Sequence, residues 1–95
     1  MNSSSVQNFL QILDEISDAT ADQEVVSLVD DFLAEHVKIA SVERRNHAPM
    51  FAGKREFLVT FTSHEDAACA GVTLNSHRYG RFRRHGYYGL VIELG

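Results

Sequence analysis

The spacing of apolar residues changes once along this chain, and that change constrains the fold more than any other feature. Up to about residue 36 they recur every three or four positions, and beyond it they begin to alternate. Spacing of three or four lines one face of a helix, and alternation lines one face of a strand. Val6, Phe9, Leu10, Leu13 and Ile16 predict a helix over residues 5–17, opened by Ser4-Ser5-Val6-Gln7, which fits a capping box. Val25, Val26, Leu28, Val29, Phe32 and Leu33 predict a second helix over 21–36, behind the similar cap pattern Thr20-Ala21-Asp22-Gln23. The link at 17–19 is so short that the two helices form a hairpin.

Residues 37–42 are β-branched and partly alternating, and Phe57, Val59 and Phe61 alternate cleanly within 54–62, which predicts two strands. Between them, 45–53 holds the only proline and reads as a long hairpin loop. Ser63 offers an N-cap with Glu65 and Asp66 in the first turn, so a short third helix follows, which Gly71 is expected to end or weaken. The apolar run 89–94 reads as a buried final strand, paired with one formed by Val72-Thr73-Leu74. The expected fold is α+β, a single domain over 1–95. An acidic helical hairpin (1–36) precedes a small antiparallel sheet of three or four strands with one short crossing helix.

Charge is divided as sharply as periodicity. Residues 1–37 contain eight acids and no Lys or Arg, whereas 38–95 contain nine bases and five acids, so a net charge of −4 conceals segments of −8 and +4. Such segments attract each other or face different partners. With one cysteine, Cys69, no intrachain disulfide forms, which fits a reducing cytoplasm. No stretch is apolar enough to span a membrane, and the N-terminus lacks a basic start and unbroken apolar run, so neither a membrane partner nor a secretory address is expected.

The residue patterns argue against several chemistries. Of the five histidines (His36, His47, His64, His77, His85), no two stand four apart on a helix, and no Cys-x-x-Cys opens a zinc knuckle, so no metal or other cofactor is expected. Cys69 lies between alanines, where a buried, inert thiol is the common outcome. Gly80, Gly86 and Gly89 match neither a P-loop nor a dinucleotide-binding spacing. The chain is therefore expected not to be an enzyme.

Two segments have the composition of contact surfaces. The first, 78–88, interleaves Arg78, Arg81, Arg83 and Arg84 with Tyr79, Phe82, Tyr87 and Tyr88. Guanidinium groups suit phosphates and rings suit stacked bases, so this pattern fits single-stranded nucleic acid. Arginine and tyrosine are equally the anchors of protein interfaces, and the arginines could instead neutralise the protein's own acids. Nearby, Phe57-Leu58-Val59-Thr60-Phe61 followed by Asp66-Ala67-Ala68-Cys69-Ala70 resembles the third strand and second helix of the RNA-recognition motif. That family's stacking aromatics would fall on Glu56 and Leu58, so the resemblance implies a strand-to-helix pattern and no function.

The second segment is the acidic helix. Glu24, Asp31 and Glu35 share one face, and Asp30, Asp31 and Glu35 crowd its C-terminal end, where the helix dipole disfavours negative charge by about 0.3–1 kcal/mol each. Solvation, internal arginines or a basic partner could compensate. In size, acidity and lack of catalytic signature the chain is similar to phage-encoded inhibitors of host defence such as anti-CRISPR proteins. The expectation is a non-enzymatic protein that blocks a protein or ribonucleoprotein target by surface complementarity. The alternative is a small RNA- or single-stranded nucleic-acid-binding protein using 78–88. Homodimerisation is compatible with either.

Overall fold

The computed structural model describes residues 3–17, 19–45, 55–77 and 81–94. Helices α1 (Ser3–Glu15) and α2 (Asp22–Ala34) come first, followed by strands β1 (Ile39–Arg44) and β2 (Arg55–Phe61). Helix α3 (His64–His77) and strands β3 (Phe82–His85) and β4 (Gly89–Leu94) complete the chain. The fold is α+β, with helices leading into a four-stranded antiparallel sheet of order β1-β2-β4-β3. Both β2 and β3 run antiparallel to β4, so they are parallel to each other, and α3 carries the chain from one to the other across β4. No helix of the described residues is long and apolar enough to cross a membrane.

Alternation puts Phe57, Val59 and Phe61 of β2, Leu90, Ile92 and Leu94 of β4 and Phe82 of β3 on one sheet face, where all are buried. The helices cover that face with Val6, Phe9, Leu10 and Leu13, with Val25, Val29 and Leu33, and with Ala67, Ala70 and Leu74, in one shared core. Phe9 and Phe32 stack at 4.1 Å between ring centres, joining α1 to α2. In the first two helices and β1, boundaries fall within about two residues of the spacing-based expectation, the usual fraying. At α2, however, the N-cap is Ala21, with no side-chain cap; the Thr20 hydroxyl instead accepts a bond from the Ser17 amide at 3.2 Å.

The third helix corrects the sequence reading. It continues through Gly71, and Val72, Thr73 and Leu74 are helical. The buried positions Ala67, Ala70, Gly71 and Leu74 follow helical spacing, and at Gly71 helix and sheet lie close together: a Cβ there would lie 2.9 Å from Arg84 Cδ and 3.6 Å from Leu90 Cδ1. Packing outweighs glycine's poor helix propensity. The final strand pairs with β2 and β3, and β3 itself lies inside the Gly/Arg/Tyr-rich connection. Ser63 caps α3, its hydroxyl accepting from the Asp66 amide at 3.1 Å. Cys69 is exposed, not buried, because it falls on the solvent side of that helix. Most of the expected loop, residues 46–53, lies outside the described residues.

Two glycines should respond oppositely to substitution. A Cβ on Gly89 would meet the His85 carbonyl oxygen at 2.4 Å, a backbone contact that cannot yield cheaply. Gly89→Ala is therefore expected to lower stability by about 1–3 kcal/mol in urea unfolding. Gly71→Ala displaces only the flexible Arg84 stem while improving helix propensity, and should change stability by less than about 1 kcal/mol.

Candidate functional site

The arginines of the second half meet acids or carbonyls wherever the structure describes them, whereas Lys38 is exposed. Arg55, at the start of β2, points up to the α1–α2 turn and donates to Thr20 O (2.8 Å), Ser17 O (2.9 Å) and Asp22 Oδ1 (3.1 Å). Arg44, across the sheet edge on β1, donates to both oxygens of the same carboxylate, at 3.1 and 3.0 Å. Asp22 therefore joins α2 to two strands, at a helix end with no side-chain cap. Its pKa lies below the ordinary value of 3.8, chiefly through the Arg44 hydrogen bond; a partial desolvation cost opposes this, and the Arg44 charge and Arg55 add to it.

On the sheet face away from the helices, Glu56 and Glu93 stand directly opposite each other on β2 and β4, both buried. Two carboxylates in that position repel. Arg83, from β3, pairs with both, reaching Glu56 Oε2 at 2.6 Å and also contacting Glu93, while Arg45 lies 3.7 Å from Glu56 Oε1. Arg81 pairs with Asp14 of α1 at 3.2 Å. Arg84 donates to Gly86 O and Tyr87 O, closing the β3–β4 turn around Gly86, whose φ of +66° suits glycine. All six arginines among the described residues are engaged within the chain.

This rearranges the expected Arg/aromatic surface. Phe82 is buried in the core at 1% exposure, so its ring is not available to a base or a partner, because alternation in β3 turns it toward the helices. Arg81 and Arg83 serve as internal ion-pair partners. Arg84, Tyr87 and Tyr88 remain exposed at the β3–β4 turn, with Tyr87 79% exposed and edge-on to His64 at 6.4 Å. Arg78 and Tyr79 lie outside the described residues.

The acids of α2 behave differently. Glu24, Asp30, Asp31 and the C-cap residue Glu35 are all exposed, and none has an ion-pair partner among the described residues. Glu24, Leu28, Asp31 and Glu35 follow the spacing of one helical stripe, and Asp30 falls on another side. Beside that stripe α1 and α2 leave a mainly apolar cleft of about 190 Å³ lined by Phe9, Ile12, Leu28 and Phe32, with Ser5, Asn8 and Glu35 as its polar members. Ile12, absent from the core-facing stripe of α1, is 41% exposed. Ile12 and the cleft were missed by sequence reasoning. Their signal was an apolar residue off the α1 stripe and an α2 stripe six apolar residues wide.

Among the described residues no group of three or more His, Cys, Asp or Glu is arranged to hold a metal ion. The chain matches no protein-family model, no curated protein and no solved structure.

Two variants test the ion-pair assignments. Arg83→Met leaves two buried carboxylates facing each other and should cost about 3–5 kcal/mol in denaturant unfolding, whereas adding Glu56→Leu and Glu93→Leu should recover most of it. Because its folded pKa is depressed, Asp22 contributes stability that is fully present above the ordinary carboxylate pKa and is lost as pH falls through its lower folded value. The Tm difference between the wild type and Asp22→Asn should therefore be constant between about pH 5 and 7 and shrink below about pH 4.

Proposed function

We propose that the chain is a non-enzymatic cytoplasmic binding protein that blocks or modulates a protein or ribonucleoprotein target, with the exposed acidic face of α2 as its contact surface. The observation that supports this reading is the unequal use of charge. The described arginines are engaged internally, while Glu24, Asp31 and Glu35 are exposed and have no ion-pair partner among the described residues. Their rise along the helix, about 1.5 Å per residue, sets them in a row about 16 Å long. Such a row suits a basic surface that otherwise holds phosphates, and occupying that surface excludes nucleic acid by charge and bulk. Small inhibitors of host defence encoded by phages, anti-CRISPR proteins among them, act as free-standing blockers of this general kind, and the proposed role is analogous.

The nucleic-acid reading retains one supporting observation, the outward Arg84, Tyr87 and Tyr88 at the β3–β4 turn. One exposed guanidinium, bonded to its own turn, supplies little of the phosphate attraction that such binding needs. The acidic surface also repels phosphate.

A nuclease-treated lysate pull-down separates the two. The proposed function predicts a defined protein captured by the wild type and by Arg84→Ala/Tyr87→Ala/Tyr88→Ala, and at least about tenfold less captured by Asp31→Lys/Glu35→Lys. These exposed reversals should leave stability within about 0.5 kcal/mol or raise it, since lysine suits a helix C-terminus. Capture that survives the reversal, oligonucleotide binding lost with the turn variant, or substrate turnover dependent on Cys69 or His64 would each contradict the proposal.

A further inference from the structure

The cleft beside the acidic stripe points to the form of the partner. We infer that the α1–α2 groove receives the apolar face of a basic amphipathic helix. This rests on the reading of the α2 face as the contact surface.

The floor of the groove is the Phe9–Phe32 stack, and its walls are Ile12 and Leu28. Its volume of about 190 Å³ is several times the ~30 Å³ that a water occupies, so it has room for a side chain. The cleft spans Ser5 to Ile12 on α1 and Leu28 to Glu35 at the end of α2, about two turns of each, and the apolar residues lining it stand three or four apart on each helix: Phe9 and Ile12, Leu28 and Phe32. That spacing matches the ridges of an incoming helix whose apolar side chains recur at i, i+3, i+4 and i+7.

The rim decides the charge of the occupant. Glu24, Asp31 and Glu35 flank the apolar floor from α2, and Glu15 stands one turn beyond Ile12 on α1; none of the four has an ion-pair partner among the described residues. Lysines or arginines bordering the apolar face of the incoming helix would meet them. Among the described residues a second copy of this chain is a poor complement: α1, α2 and α3 contain no Lys or Arg, the arginines elsewhere are engaged internally, and the exposed Lys38 alone is too little to match a row of carboxylates. A copy docked by any of its helices would place uncharged or acidic residues against the acidic rim. Nucleic acid would set phosphate against carboxylate.

Fluorescence anisotropy with three labelled synthetic peptides tests this in the full chain. The first places Leu at i, i+3, i+4 and i+7 with Lys on the flanks. The second contains the same residues reordered to break the stripe, and the third replaces Lys by Glu. The first peptide should bind at least about tenfold more tightly than either control and become helical on binding. Ile12→Lys, and separately Glu24→Lys/Asp31→Lys/Glu35→Lys, should each weaken it at least about tenfold while circular dichroism shows the fold intact. Equal binding of the reordered peptide, or no effect of Ile12→Lys, overturns the groove assignment. If the first peptide neither binds nor competes with a target whose capture still depends on the α2 acids, the inference fails and the proposed function stands. Loss of that dependence removes both.

Discussion

Arginine-to-acid contacts across element boundaries organise this molecule. Arg55 binds two carbonyls of the α1–α2 turn and the first carboxylate of α2, so the helical hairpin is held to the sheet at its connecting end. Arg83 sits between two buried glutamates that would otherwise repel, which lets β2, β3 and β4 lie side by side with charged residues on their far face. Arg81 ties the start of β3 to α1 through Asp14. A buried charge whose partner is lost is far more costly than a surface pair is useful, so the Arg83 cluster ranks above the Arg44–Asp22 pair in what it holds together.

The consequence appears on the opposite side of the charge balance. Once Asp14, Asp22, Glu56 and Glu93 have taken up arginines, five of the described acids left over lie on or at the end of α2 and at the end of α1 (Glu15, Glu24, Asp30, Asp31 and Glu35), with Glu43, Glu65 and Asp66 elsewhere. The charge division of the sequence becomes a difference in use, with the described arginines bonded within the chain and the carboxylates of the α2 stripe facing solvent. An apolar cleft opens beside that negative surface, so shape and charge coincide between the same two helices. Removing Ile12 and Phe32 from water entirely would require something outside the described residues.

Much of the architecture was legible in periodicity. The 3.6-residue stripes found α1 and α2, the alternation of Phe57, Val59 and Phe61 found the face of β2, and Ser63 marked the start of α3. The reading failed where small residues bear the packing. Gly71 looked like a helix end but is the point where α3 lies against Arg84 and Leu90, and the stripe Ala67, Ala70, Gly71, Leu74 is weak in hydrophobicity though correct in spacing. Cys69 and Phe82 changed places with expectation: the thiol faces out and the ring faces in, each decided by its position in the local period. The candidate surface was half legible. The acidic face of α2 followed from charge and spacing, but which acids and arginines engage each other depended on tertiary pairing between residues as far apart in sequence as Asp14 and Arg81.

The role of the arginines as internal partners is tested most directly by side-chain nuclear magnetic resonance of their Nη–H groups. Held between buried carboxylates, the Nη–H groups of Arg83 should be resolved, exchange slowly with solvent and stay unmoved when single-stranded oligonucleotide is added, and those of Arg55, bonded to the α1–α2 turn, should behave alike. Exchange at the rate of free arginine, with shifts that follow added oligonucleotide, would place these side chains on an outward basic surface and contradict the account.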